Sequence, residues 1–256
     1  MAVHGSAIVD PKAKVHPSCV IGPYCVIGPE VEIDEGTELL SHVIVHGPTK
    51  IGKRNRIFPF SAIGLEPQDT TFSGQTVRLE IGDDNLIREN VTISRGTVKG
   101  GGLTRIGSHC FIMAYAHIGH DCVVGDHAML INNATLAGHV TVGEYAVVGA
   151  LSAVHQFATV GPHAYIGGGT IVTQDVLPFT KTVARREAAT FGINAIGLER
   201  RGFSKERIEK IQRAYKIFRR NNNSQALEEL RKDPSPSDDV KMLMDFMEKS
   251  ERGIIR

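Results

Sequence analysis

The sequence predicts an all-β solenoid of short parallel strands followed by an α-helical tail. An aliphatic residue recurs at every sixth position, glycine follows many of these beats, and the rhythm stops near Val172 where helical periodicity takes over. A period of six cannot serve an α-helix, because 3.6 residues per turn would carry those positions around the whole circumference. It does serve a triangular coil of three hexads, 18 residues in all, with one aliphatic side chain filling each inner corner and each coil stacked on the last.

The beat opens at Val9 and runs through Val15, Ile21, Ile27, Ile33, Leu39, Val45, Ile51, Ile57 and Ile63. It fails at Asp69 and Gln75, resumes at Ile81, Ile87 and Ile93, and after GTVKGGGLTR restarts one residue out of step at Ile106. From there it continues through Ile112, Ile118, Val124, Leu130, Leu136, Val142, Val148, Val154, Val160, Ile166 and Val172. The two interruptions, about 64–80 and 97–105, read as loops thrown out of the wall, and long loops on a rigid frame often carry function. The glycine beside the beat (IGP, IGK, VGD, VGE) reads as a corner residue that tolerates positive φ. GTVKGGGL lacks the spacing of a nucleotide-binding P-loop and reads as a structural loop. A boundary is expected at 186/187, with the solenoid over 1–186 and a helical unit over 187–256. In that unit Ser204 is a candidate cap for a helix striped by Ile208, Ile211, Tyr215 and Phe218, Ser224 for a second helix, and VKMLMDFMEKS makes a third. These helices are expected to close the end of the solenoid, which otherwise presents unpaired strand edges.

Composition excludes some classes. The 256 residues carry 29 Lys and Arg against 28 Asp and Glu, so there is no global field for nucleic acid or a membrane surface. No apolar run approaches the roughly 20 residues of a membrane span, and MAVHGSAIVD lacks the features of an export signal, so a cytoplasmic location is expected. Cys19, Cys25, Cys110 and Cys122 have no CxxC spacing and read as buried packing thiols.

Stacking turns scattered histidines into a constellation. At 18 residues per coil, His120, Gly138 and Gln156 form one column and Asp121, His139 and Phe157 the next, with His117 aligned with Thr135 and Gly119 with Ala137 and His155. Two chemistries remain open here: three histidines could hold zinc, or one histidine oriented by a carboxylate could take a proton from a substrate hydroxyl. A glycine in the same column would admit substrate and offer a bare N–H to an oxyanion.

The hexads together with HIGHDC, NNATLAGHV, AVHQF, the QDT loop, TISRGTVKGGGLT and LERRGFS resemble the bacterial UDP-N-acetylglucosamine 3-O-acyltransferases of lipid A synthesis. The resemblance implies a left-handed parallel β-helix, a homotrimer with sites between neighbours, a 3-hydroxyacyl-acyl carrier protein as donor, and neither metal nor cofactor in the mechanism. By that resemblance His120 is the general base, Asp121 its supporting carboxylate and Gly138 the oxyanion donor. His117, His139, His155 and Gln156 hold the sugar, its phosphates or the acyl group, and Gln68 and Asp69 reach the sugar nucleotide. Asn194, Arg200 and Arg201 meet the nucleotide end, while Gly168 leaves room for a long chain, roughly twelve to fourteen carbons. Direct transfer without an acyl-enzyme follows from the absence of a serine or cysteine motif.

Thr71, Ser94 and Ile196 stand where the family often has lysine, histidine and glutamate. That opens the question of a 3-amino sugar nucleotide as acceptor. Two readings from other classes also stand: a γ-class carbonic anhydrase on the same solenoid, suggested by the histidines but not by the helical tail, Gln68 and Asp69 or the Arg200–Arg201 pair, and a purely structural solenoid. Between 199 and 220 nine basic residues face Glu199, Glu206 and Glu209, a patch suited to an acidic carrier protein.

Overall fold

In a computed structural model, which describes residues 2–184 and 188–255, the chain is the expected left-handed parallel β-helix with a C-terminal set of helices. Three sheets of 11, 9 and 8 strands form the walls of a triangular prism, and up to Ile171–Val172 the strands are parallel, each pairing with the third before and the third after it. The strands are mostly two residues long, since a hexad spends the rest of its length turning the corner. One column of the second sheet reads Ile118, Leu136, Val154 and Val172, in register at 18 residues. Ile112, Ile118 and Val124, one from each wall of a single coil, are at most 1% exposed.

The interruptions are shorter than the rhythm suggested. Arg78–Ile81 and Leu103–Ile106 are strands of the third sheet, paired residue for residue, so the first excursion spans only 66–77 and the second 95–102. Register across the first insertion jumps from Arg56 to Leu86 and across the second from Thr92 to His117. Both leave the wall between the second sheet and the third, at one corner of the prism.

The beat glycines have a different reason from the one expected. Apart from Gly64, at an irregularity in the strand Ala62–Leu65 that precedes the first excursion, none of those in the IG and VG pairs has positive φ; that conformation falls further round each corner on residues such as His109, Asp121, His139 and Phe157. What excludes a side chain is the next coil: a Cβ on Gly119 would lie 2.9 Å from the Gly138 nitrogen, and one on Gly22 would collide with the Leu40 carbonyl. The cysteines follow the expected role. All four are buried, and Cys19 and Cys122 donate to the Asp34 and Ala137 carbonyls, each at 3.1 Å. Burial pushes the Cys122 thiol up to about 12 and Cys110 to about 11.

The expected boundary at 186/187 lies outside the described residues. Helix does not begin there: Ala188–Ile193 is a strand antiparallel to Thr180–Ala184, extending the first sheet. Thr190 and Ile193 on this strand are buried, as an edge covered by helices requires. Four helices follow, α1 (Ala195–Arg200), α2 (Lys205–Arg220), α3 (Asn223–Leu230) and α4 (Asp238–Lys249). Ser204 caps α2 as expected, while α3 starts earlier than the Ser224 reading, on a capping box of Asn222 and Gln225. Ile211, Tyr215 and Phe218 turn inward onto Leu177 and Phe179 of the last coil, so the helices close that end. The chain terminus returns to the coil as well, Asp175 exchanging backbone hydrogen bonds with Gly253 and Ile255.

Candidate active site at one corner of the prism

The turns after His117–Ile118, Thr135–Leu136 and Ala153–Val154 all carry the chain from the second sheet to the third. This corner therefore holds His120 and Asp121, then Gly138 and His139, then His155 and Gln156, on successive coils. The first excursion brings Gln68 and Asp69 to the same corner. His117 stands beside it on the outer face of the second sheet, bonded through Nδ1 to the Thr92 hydroxyl at 2.8 Å.

At the centre, His120 Nδ1 donates to Asp121 Oδ2 at 2.9 Å. With Nδ1 carrying the proton, Nε2 is left as the basic atom. The Asp121 side chain is 1% exposed and that of His120 12%. Two further donors reach this carboxylate, the Thr97 amide at Oδ1, 2.7 Å away, and the Thr97 hydroxyl at Oδ2, 2.6 Å away. His139 Nε2 lies 3.6 Å from the same Oδ2, its ring edge-on to His120 and stacked on Phe157. Desolvation holds both His117 and His139 below the usual imidazole range, His139 against the opposing pull of Asp121.

Gly138 lies directly above His120, where a Cβ would come within 2.4 Å of the imidazole Cε1. Its amide is buried and, among the described residues, makes no hydrogen bond. A buried donor without a partner next to a basic nitrogen is what an oxyanion site requires.

The excursions meet one another. Asp69 accepts from the Thr71 amide and hydroxyl, which hold its carboxyl below the usual range, and Lys99 Nζ donates to the Thr71 hydroxyl at 2.8 Å. A groove of about 230 Å³ runs between the loops. The second loop thus sets beside position 71 the ammonium of Lys99, a residue the sequence reading did not single out.

Four expected site residues are elsewhere. Gly168, Asn194, Arg200 and Arg201 line a cavity of about 950 Å³ on the first sheet, walled by Met129, Val147 and Tyr165 and rimmed by Ile196. In a triangular prism the first sheet is the face opposite the corner between the second and third, so one chain does not join this cavity to His120. Asn194 caps α1 and donates to the His163 carbonyl, while Arg201 donates to the Tyr145 carbonyl at 2.5 Å. Arg200 stays exposed.

His120, Asp121 and His139 also bring three potential metal-ligand atoms within 4.8 Å of one another. Oδ2, however, already accepts from His120 and Thr97, an arrangement that orients an imidazole as a base.

Fold and corner together define a hexapeptide-repeat transferase, and the profile described as bacterial transferase hexapeptide (six repeats) matches residues 103–138. The profile described as Udp N-acetylglucosamine O-acyltransferase, domain 2, matches residues 175–255. The structure of LpxA from Acinetobacter baumannii is 42% identical, covers 100% of both chains and superposes with a TM-score of 0.96. The UDP-N-acetylglucosamine acyltransferase of Bacteroides fragilis is 37% identical over 99% of this chain and 100% of its own, TM-score 0.96. That of Arabidopsis is 32% identical over 99% and 100%, TM-score 0.84. The chain belongs to the UDP-N-acetylglucosamine O-acyltransferase family and is an acyltransferase. This sets aside the carbonic anhydrase alternative.

Proposed function

We propose that the protein transfers a 3-hydroxyacyl chain from acyl carrier protein to the 3-hydroxyl of UDP-N-acetylglucosamine, the first step of lipid A synthesis. The observation that carries this reading is the His120–Asp121 pair beneath the unpartnered Gly138 amide. His120 Nε2 takes the proton of the sugar hydroxyl as its oxygen attacks the thioester carbonyl carbon. The tetrahedral oxyanion receives the Gly138 N–H; the C–S bond then breaks and the thiolate leaves with the proton from His120. Positioned general-base catalysis contributes ~10²–10⁴-fold, and one oxyanion donor ~10²–10³-fold. No cysteine competes as nucleophile, because Cys122 is buried with its pKa pushed up to about 12.

A closed homotrimer reconciles the two half-sites. If the corner of one copy meets the first-sheet cavity of the next, a threefold ring forms with a complete site at each junction. His117, His139, His155, Gln156, Gln68 and Asp69 then hold the sugar, phosphates and acyl group from one side. Asn194, Arg200 and Arg201 take the nucleotide end from the other, and Gly168 leaves the cavity open to a long acyl chain. The outer face of the second sheet supports association: Ile8, Val26, Ile44, Ala62, Thr92, His117, Thr135, Ala153 and Ile171 include no Asp, Glu, Lys or Arg.

On α2, Arg207 is tied to Asp239 and Lys210 to Glu206, while Arg213, Lys216, Arg219 and Arg220 remain available to an acidic carrier protein. Among the described residues no helix is long and apolar enough to cross a membrane, and we take the cytoplasm as the location.

The test is acyl transfer from 3-hydroxyacyl carrier proteins of graded length to UDP-N-acetylglucosamine and to its 3-amino analogue. Transfer to the hydroxyl acceptor that collapses in His120→Ala supports the reading. Transfer to the amino acceptor alone replaces the ester with an amide, and undiminished transfer by His120→Ala removes the proposed base.

A further inference from the structure

We infer that Thr97 is a positioning residue for the His120–Asp121 pair, and that the glycine-rich excursion 95–102 clamps the carboxylate. The inference rests on the reading of His120 as the base. Thr97 donates to both carboxylate oxygens, from its amide to Oδ1 at 2.7 Å and from its hydroxyl to Oδ2 at 2.6 Å. Two donors from one residue fix the rotation of the carboxylate about its Cβ–Cγ bond. That rotation decides how Oδ2 meets His120 Nδ1, 2.9 Å away.

The glycines of the excursion bring main chain against the same group. A Cβ on Gly96 would lie 2.8 Å from Asp121 Oδ1, and one on Gly100 would lie 2.1 Å from Cγ and within 2.5 Å of both oxygens. Gly100 is not at positive φ, so its smallness answers to the carboxylate and not to the turn. The Asp121 backbone needs holding too, being a non-glycine residue at φ 59°. Its amide donates to the Thr104 hydroxyl at 2.8 Å, from the strand into which the excursion runs.

The Thr97 hydroxyl also competes with His120 for Oδ2. Without it the carboxylate has one donor fewer, binds the Nδ1 proton more strongly and makes the imidazole more basic. Thr97→Val therefore moves the acid limb of the kcat/KM profile to higher pH, besides loosening the pair.

The experiment compares the pH dependence of acyl transfer in wild type, Thr97→Val, Thr97→Ser and Gly100→Ala, with His120→Ala as reference. Because the Thr97 hydroxyl also accepts from the Gly100 amide at 3.3 Å, Thr97→Val could act through the turn alone. Gly100→Ala removes no hydrogen bond and only crowds Asp121. Expected are kcat losses of about tenfold or more in Thr97→Val and Gly100→Ala, with the sugar-nucleotide KM within about twofold, the size expected for a charge-assisted hydrogen bond lost from the chemical step. The acid limb shifts in Thr97→Val and returns in Thr97→Ser. Wild-type kcat and pH profile in both Thr97→Val and Gly100→Ala overturn the inference. So does a loss in Thr97→Val that leaves the limb unmoved and is not restored by serine. Activity in His120→Ala instead overturns the base assignment on which the inference stands, while inactive His120→Ala confines a failure to Thr97.

Discussion

Replacing Gly138 by alanine tests the site with a single methyl group. Built on the present backbone, that methyl would lie 2.4 Å from His120 Cε1, 2.7 Å from Nε2 and 3.0 Å from Nδ1. Ordinary contact begins near 3.4 Å, so the imidazole must withdraw by 3.4 Å less 2.4 Å, or 1.0 Å. It cannot do so and keep its 2.9 Å bond to Asp121 in the same alignment, because that carboxylate is itself pinned by Thr97. Misplacement of a reacting group by about 1 Å costs on the order of 10²-fold in rate. The backbone at Gly138 is not at positive φ, so alanine adds no conformational strain there. Steady-state acyl transfer should thus show kcat down about 10²-fold with circular dichroism unchanged, a magnitude that corresponds to about 2.7 kcal/mol of barrier. Gly5→Ala, where a Cβ meets nothing within 4 Å, is the silent control. A Gly138→Ala enzyme with wild-type kcat would refute both the stacking of Gly138 on the working imidazole and its proximity to the reaction.

Two further expectations concern the scaffold. His163 is held down to about 4, first by burial and then by the Arg201 and Arg207 charges, with Asp239 opposing. The folded state thus binds this proton less readily than the unfolded chain, whose imidazole titrates near 6.5. Its contribution to stability is complete above that pH and is lost as pH falls from 6.5 towards about 4. Urea unfolding near pH 7.5 and near pH 5 should show a loss of about 1 to 2 kcal/mol, the full shift being discounted because solvent reaches part of the ring and screens its charge. That loss should shrink in His163→Phe, which keeps a ring between Tyr145 and Phe179. The four thiols should resist alkylation at mildly alkaline pH until the protein unfolds, since all are buried and their pKa values raised, with activity surviving the treatment.

Much of the wall was legible because its determinants are local and periodic. One aliphatic position in six specifies a corner, and the 18-residue coil places His120 under Gly138 and Asp121 under His139 without reference to distant sequence. Periodicity could not show what arrives from outside the period. Thr97 is 24 residues from Asp121, across an excursion that breaks the count, so GTVKGGGL looked like mere structure while it grips the carboxylate. Lys99 was missed for the same reason, its partner Thr71 lying on another excursion 28 residues away. The beat glycines are plain in the sequence, but their constraint is the neighbouring coil and not φ, a contact invisible in any single hexad. The separation of the Arg200–Arg201 cavity from the histidine corner likewise depends on which wall each occupies.

After each excursion the ladder resumes as though nothing had been inserted, Leu86 pairing with Arg56 and His117 with Thr92. Accessory segments can therefore grow, shrink or be exchanged at that corner while the load on the walls stays constant. Axial distance is denominated in whole coils, each a step of about 4.8 Å. The spacing from histidine corner to helical cap changes only in such increments, like positions on a rack, with the tolerances at each position left intact.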